Sequence, residues 1–286
     1  MKESSHEPAL LLGTHPIADS IASCLNGAGF RVLTELKGER LQEAGLVILV
    51  TEENEAVKTD WIRAIEGAVP GETLICVNTE SIGLDVLQEN ALYPERIIGL
   101  NWTEPADTTF FLEIIANDIT GTSRAAWLEE LARRHWNKDP YVIRGNTGIR
   151  MRLLGALIRE AFFLVQNGYA NAEDIDRACR NDAGYYLPFA GNLRYMDLMG
   201  TYAYGMVMKD LNRELATDAV LPAFFSEMME KGKWGMAEGE GFYSYRPGEA
   251  DKWKALLGKF SLEIRDLIGR YNQPEEVALQ LKNGSN

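Results

Sequence analysis

Two stretches of this sequence combine residue types and spacing that suggest chemistry. In LLLGTHPIADSIA (10–22), Gly13, His15 and Ala18 occupy the three small-residue positions of a G-x-G-x-x-G turn. That turn needs a tight bend first, close approach of backbone to a pyrophosphate second, and helix–strand packing third. Gly13 meets the first need and Ala18 the third, whereas His15 places a side chain where the phosphates approach. Pro16 suits a first helical turn, and the helix N-terminus after it is a potential anion site. A protonated His15 could face a phosphate; equally, the turn can be purely structural. About 20 positions on, where an acidic residue would hold a ribose, stands Glu35, which also reads as an ordinary exposed strand-end carboxylate. The second stretch is RIIGLNWTEP (96–105), a short apolar strand running into a polar turn with Asn101 at its tip. An amide there donates and accepts hydrogen bonds but shuttles no proton.

The elements around these stretches follow from the apolar pattern. PALLLG (8–13), RVLTEL (31–36), GLVILV (45–50), TLICVN (73–78), RIIGL (96–100), FFLEIIA (110–116) and YVIR (141–144) read as strands. Helical spacing covers 17–30, 123–136 and NEAVKTDWIRAIEGAVPG, where Val57, Trp61, Ile62 and Ile65 share a face. This alternation predicts βαβ units and a largely parallel, doubly wound sheet over residues 1–146. Residues 147–286 read as helices alone, including 148–170, 171–181, 195–215 and the segment WKALLGKFSLEIRDLIGRYN, and form an expected second domain.

The formal net charge of −13 over 286 residues argues against nucleic acid or an anionic membrane as partner. No run approaches the ~18 apolar residues of a membrane span, and the N-terminus lacks a secretory pattern. Cys24, Cys76 and Cys179 show neither disulfide nor metal spacing, so reduced thiols in the cytoplasm are expected. With His6, His15 and His135 the full histidine complement, a multi-histidine metal site is not expected.

Three stretches resemble the 3-hydroxyacyl-CoA dehydrogenase family. CVNTESIGLDVLQENALYPERIIGLNWTEPADTTFFLEII is similar to its N-T-S-S-L segment followed by G-L-H-F-F-N-P and a downstream glutamate. RLLGALIREAFFLVQNGYANAEDIDRAC (152–179) matches the helix that opens its C-terminal domain, and KGKWGMAEGEGFYSY (231–245) its G-x-K-x-G-x-G-F-Y-x-Y element. The resemblance implies a Rossmann-type domain followed by an all-α dimerisation domain, and NAD or NADP as cofactor. Gly13, His15, Ile17, Ala18, Glu35 and Asn78 are the implied cofactor-binding positions. The family moves hydride between a nicotinamide and an acyl-CoA, with a histidine as acid/base oriented by a glutamate, and a serine and an asparagine polarising the substrate oxygen.

The departures from that pattern define the expected chemistry. The glutamate is kept as Glu113, but Asn101 replaces the histidine, Glu80 the serine, Met151 one asparagine and Glu104 the asparagine of H-F-F-N-P. KGERLQEA (37–44) is all that stands where the family's CoA-holding helical arm would be, so acyl-CoA is not the expected substrate. The family backbone would converge Glu80, Glu104 and Glu113 around Asn101. Carboxylates brought together raise one another's pKa, so Glu113 or Glu80 could handle the proton while Asn101 polarises an oxygen. Such an acidic site would favour a cationic or neutral small substrate. The alternative is a catalytically silent dimeric binding or scaffold protein whose glutamates have drifted. Arg150, Arg152 and Arg194 either bind an anion or form salt bridges, and the aromatic, Met-rich stretch 183–208 reads as core or as a homodimer interface.

Overall fold

A computed structural model describes residues 8–271, apart from the side chains of Glu39 and Arg40. His6 and Asn272, at the far end of the last helical segment, lie outside the described residues. The chain divides into two compact units, Met1–Leu153 and Leu154–Asn286.

The first unit is a seven-stranded sheet in the order β2-β1-β3-β4-β5-β6-β7. Its strands are β1 (Pro8–Leu12), β2 (Arg31–Leu33), β3 (Leu46–Leu49), β4 (Leu74–Val77), β5 (Ile97–Asn101), β6 (Glu113–Ala116) and β7 (Tyr141–Arg144). Strands β1 to β5 are parallel, and β1, β3, β4 and β5 are buried throughout, as strands covered on both faces must be. Alternate side chains feed two cores. Leu11, Ile48, Cys76 and Ile98 pack with helices α1 (Ala18–Gly27) and α4 (Thr122–His135) on one face. Leu10, Leu49, Ile75 and Ile97 pack with α2 (Glu55–Glu66) and α3 (Leu84–Glu89) on the other. This is a doubly wound Rossmann-type sheet.

Strand β6 runs antiparallel to β5, because residues 102–112 return directly without a crossover helix. The strand expected from Phe110 therefore starts only at Glu113. Between β2 and β3 lies a single 3-10 turn, Glu39–Glu43, in place of any helical arm.

The second unit is helical: α5 (Arg150–Gln166, whose first turn belongs to the first unit), α6 (Ala172–Ala178), α7 (Gly184–Met199, kinked at Gly191), α8 (Thr201–Leu211), α9 (Ala223–Glu230) and α10 (Glu249–Tyr271). A π-turn, Cys179–Ala183, joins α6 to α7. Among the described residues of this unit only Ala216 and Ser261 are buried, while Leu157, Tyr185, Leu193, Tyr202, Trp253 and Phe260 are exposed. No helix among the described residues is long and apolar enough to cross a membrane.

Candidate functional site

The carboxyl ends of β3, β4 and β5 carry the residues that could do chemistry. Asn101 ends β5, Glu113 begins β6, and the antiparallel register sets them directly opposite one another. The twelve-position spacing is thus set by one return loop, residues 102–112. Asn101 is 1% and Glu113 0% exposed. The Asn101 Nδ2 donates to Thr79 O at 2.7 Å and to Glu113 Oε2 at 2.9 Å, while its Oδ1 accepts from Thr79 N at 2.8 Å. Both amide hydrogens are therefore spent inside the protein. Asn101 thereby pins β5 to the peptide after β4.

Glu113 is closed in the same way. Its Oε1 accepts from Tyr141 Oη at 3.0 Å and from the backbone N–H groups of Ile149 and Arg150 at 2.8 and 3.1 Å. With Asn101 on Oε2, four donors surround a carboxylate that has no exposure. A Cβ on Gly148 would overlap this carboxylate, so the glycine is what lets the chain before α5 close over it. Burial, and Glu113 beside it, push the Tyr141 hydroxyl up, keeping it a donor. Glu113 thus anchors the start of α5 through these backbone N–H groups.

Glu80, just past β4, is different. Its Oε1 accepts from Arg150 Nη1 at 2.7 Å, and each side chain of this pair is 27% exposed. Its Oε2 is buried without a hydrogen-bond partner, a situation that costs roughly 1–3 kcal/mol. Burial raises the Glu80 carboxyl above the usual range; Glu113 and Glu53 add to the rise, and Arg150 and Lys58 oppose it. Beside it, Glu53 Oε1 accepts from the N–H groups of Glu80, Ser81 and Ile82. Burial works against the Glu53 carboxylate, but these N–H groups and Lys58 outweigh it and hold the pKa below the ordinary value. Lys58 is fully buried, donating to Asn78 O at 2.7 Å, Asn78 Oδ1 at 2.9 Å and Thr51 Oγ1 at 3.3 Å, with Glu53 at 3.4 Å. Burial lowers its pKa despite Glu53.

Glu104 lies in the return loop after β5. The return loop carries it to α1, where Ser20 Oγ donates to Glu104 Oε2 at 2.5 Å. Arg150 and Lys58 stand among the carboxylates of the site.

The switch point of the sheet lies between β1 and β3, where open α/β sheets bind ligands. Gly13, at φ 106°, makes the turn there, and a Cβ on it would overlap the Val50 carbonyl oxygen. Helix α1 begins at Ala18, and Ile17 before it offers no capping side chain. The exposed His15 folds back, its Nδ1 accepting from Ile17 N at 3.3 Å and its O from Ala18 N at 2.9 Å, so it takes up two turn donors. Asn78 bridges β3 and β4, accepting from Thr51 N and donating to Thr51 O. Glu35 is exposed two residues past β2. The glycine turn and the acidic residue past β2 fit a dinucleotide.

Glu53, Lys58, Thr79 and Gly148 were missed by reading the sequence. Lys58 had a signal: it shares the i, i+4, i+7 stripe of α2 with Ile62 and Ile65, a core position that no unpartnered lysine would occupy. Gly148 had none, since its role appears only where the chain returns to Glu113 from 35 positions on.

Comparison with known proteins adds the following. Residues 23–147 match the model of the 3-hydroxyacyl-CoA dehydrogenase NAD binding domain, and residues 149–245 match that of the same family's C-terminal domain. The chain is 27% identical over 263 residues to 5-formyl-3-hydroxy-2-methylpyridine 4-carboxylate 5-dehydrogenase of Mesorhizobium japonicum, covering 91% of this chain and 85% of that protein. It is 28% identical over 224 residues to the fatty acid oxidation complex subunit alpha of Shewanella oneidensis, covering 78% of this chain but spanning only 30% of that protein. Among solved structures, an NAD+ dependent dismutase, 5-formyl-3-hydroxy-2-methylpyridine 4-carboxylic acid 5-dehydrogenase, matches with TM-score 0.80 at 24% identity, over 91% of this chain and 98% of that one. FadB2 of M. tuberculosis matches with TM-score 0.67 at 21% identity, over 84% and 99%.

Proposed function

Since this chain belongs to the 3-hydroxyacyl-CoA dehydrogenase family, we propose that it is an oxidoreductase that uses NAD or NADP on a small hydroxy, keto or imino substrate carrying no CoA. The observation that carries this reading is Glu80: a carboxyl with one oxygen bare, raised in pKa and set where the family resemblance implies the substrate oxygen. The single turn between β2 and β3 leaves no arm for a CoA moiety, and the Mesorhizobium relative is named for a pyridine substrate.

Gly13, Ile17 and Ala18 would hold the cofactor's pyrophosphate, Glu35 its ribose, and Asn78, fixed by Lys58 and Thr51, would frame the crevice. A bound nicotinamide would supply the hydride chemistry at the substrate carbon. Glu80 gives the accompanying proton to the substrate oxygen in reduction and takes it in oxidation. Glu113, Asn101 and Tyr141 hold the start of α5 so that Arg150 and Glu80 meet at a set distance. The helical unit, exposed over most of its apolar surface, would be completed by a second copy in a homodimer. The acidic charge and the cysteine usage suit a cytoplasmic enzyme with no nucleic-acid partner.

Calorimetric titration with NADH and NADPH tests the reading. Binding of one cofactor, followed by its oxidation with a small carbonyl or imine compound, is expected. Binding of neither would favour a silent scaffold, a reading to which the spent amide of Asn101 lends itself.

A further inference from the structure

We propose that Arg150 reads a carboxylate on the substrate, and that this carboxylate docks by drawing Arg150 away from Glu80. The inference rests on the oxidoreductase reading and adds the substrate's charge to it.

The Arg150–Glu80 pair is unfinished. It is made through one atom from each side, Nη1 to Oε1 at 2.7 Å, although a guanidinium and a carboxylate can meet through two parallel bonds. Nη1 otherwise meets only Met151 Sδ at 3.5 Å, and Nη2 makes no hydrogen bond among the described residues. Glu80 Oε2 is buried with no donor. Both side chains are part-exposed, so a ligand entering the crevice reaches the pair. The guanidinium lies 5.6 Å over the Phe111 ring, an apolar floor that strengthens a charged contact by excluding water.

The fork is also held from a fixed point. The Arg150 backbone N–H donates to the buried Glu113 carboxylate, so the side chain can swing from one carboxylate to another while its root stays in place. Lys58, the other cation of the cluster, is fully buried and occupied by Asn78, Thr51 and Glu53. Arg150 is therefore the cation that meets a ligand. The site thus selects an anion, replacing the cationic or neutral substrate expected from the glutamates alone.

Docking has a proton signature. Once Arg150 turns to the ligand, Glu80 is left facing Glu113 and Glu53, with Lys58 as the remaining positive charge. Glu80 then takes up a proton from solvent, which arms it for delivery to the substrate oxygen. No bond other than this O–H forms in the step.

The test is calorimetry on the protein holding saturating NADH, at neutral pH, in two buffers of different ionisation enthalpy. The probes are pyruvate, benzoate and isonicotinate, each against its neutral amide. At least one carboxylate is expected to bind tenfold or more tighter than its amide, with net proton uptake. Arg150→Gln should abolish that preference and the uptake while leaving NADH affinity unchanged, which also certifies its fold; Arg150→Lys should keep part of the preference. The inference is overturned if no carboxylate is preferred, or if the preference survives in Arg150→Gln. Failure of NADH itself to bind would instead overturn the oxidoreductase reading on which it stands.

Discussion

On the β5/β6 side of the crevice, Glu113 is fully buried and receives four donors; on the β3/β4 side, Glu80 receives one donor and keeps a bare oxygen. The two carboxylates belong to the same few strand ends, yet only the second has capacity left for a ligand or a proton. A carboxylate whose lone pairs are all met contributes stability and gives up function. An unmet one costs stability and is retained where chemistry uses it.

Substitution should separate the two sides. Glu80→Gln is expected to lower turnover by roughly 10²–10⁴-fold, the usual worth of a general acid/base, with cofactor affinity and melting temperature close to wild type. Steady-state rates beside a thermal melt would show it; unchanged turnover would remove Glu80 from the mechanism. Glu113→Gln should do the reverse in kind, costing about 3 kcal/mol in urea unfolding, because an amide cannot accept from all four donors. Gly148→Ala presses on the same carboxylate and should cost about 1–3 kcal/mol by overpacking.

Much of this arrangement is legible in the amino-acid sequence, and the reasons differ by element. β1, β3, β4 and β5 read directly as unbroken apolar runs because both of their faces are covered. The six-residue α3 was not expected, being too short to show a helical period. The antiparallel turn into β6 was also hidden, although the Asn101–Glu113 spacing it produces was visible. For the site, the residue types pointed to Glu80, Glu113 and Asn101, but not to which of them is spent. That depends on backbone N–H groups of Thr79, Ile149 and Arg150, which no side-chain pattern reports. The Ser20–Glu104 contact was not legible, because the two residues lie 84 positions apart.

The phosphate turn should give the smallest effect. His15→Gly frees the Ile17 N–H and should tighten NADH binding by about fivefold, one net hydrogen bond of about 1 kcal/mol. Weaker binding in that variant would mean that the imidazole itself contacts the cofactor.

The pH dependence of the two side chains flanking the crevice carries opposite signs. The folded pKa of Glu53 is depressed, so its contribution to stability is present above the unfolded value, ~4.3, and is lost as pH falls through the folded one. The folded pKa of Glu80 is raised, so its contribution is complete below ~4.3 and is lost as pH rises through the folded value. The most direct test is a carboxyl ¹³C NMR titration of the protein, with the Glu80 resonance assigned by its loss in Glu80→Gln. A Glu80 midpoint above the ordinary glutamate value is predicted, leaving a protonated fraction for transfer. A midpoint at or below that value would contradict the assignment of Glu80 as the proton-carrying group.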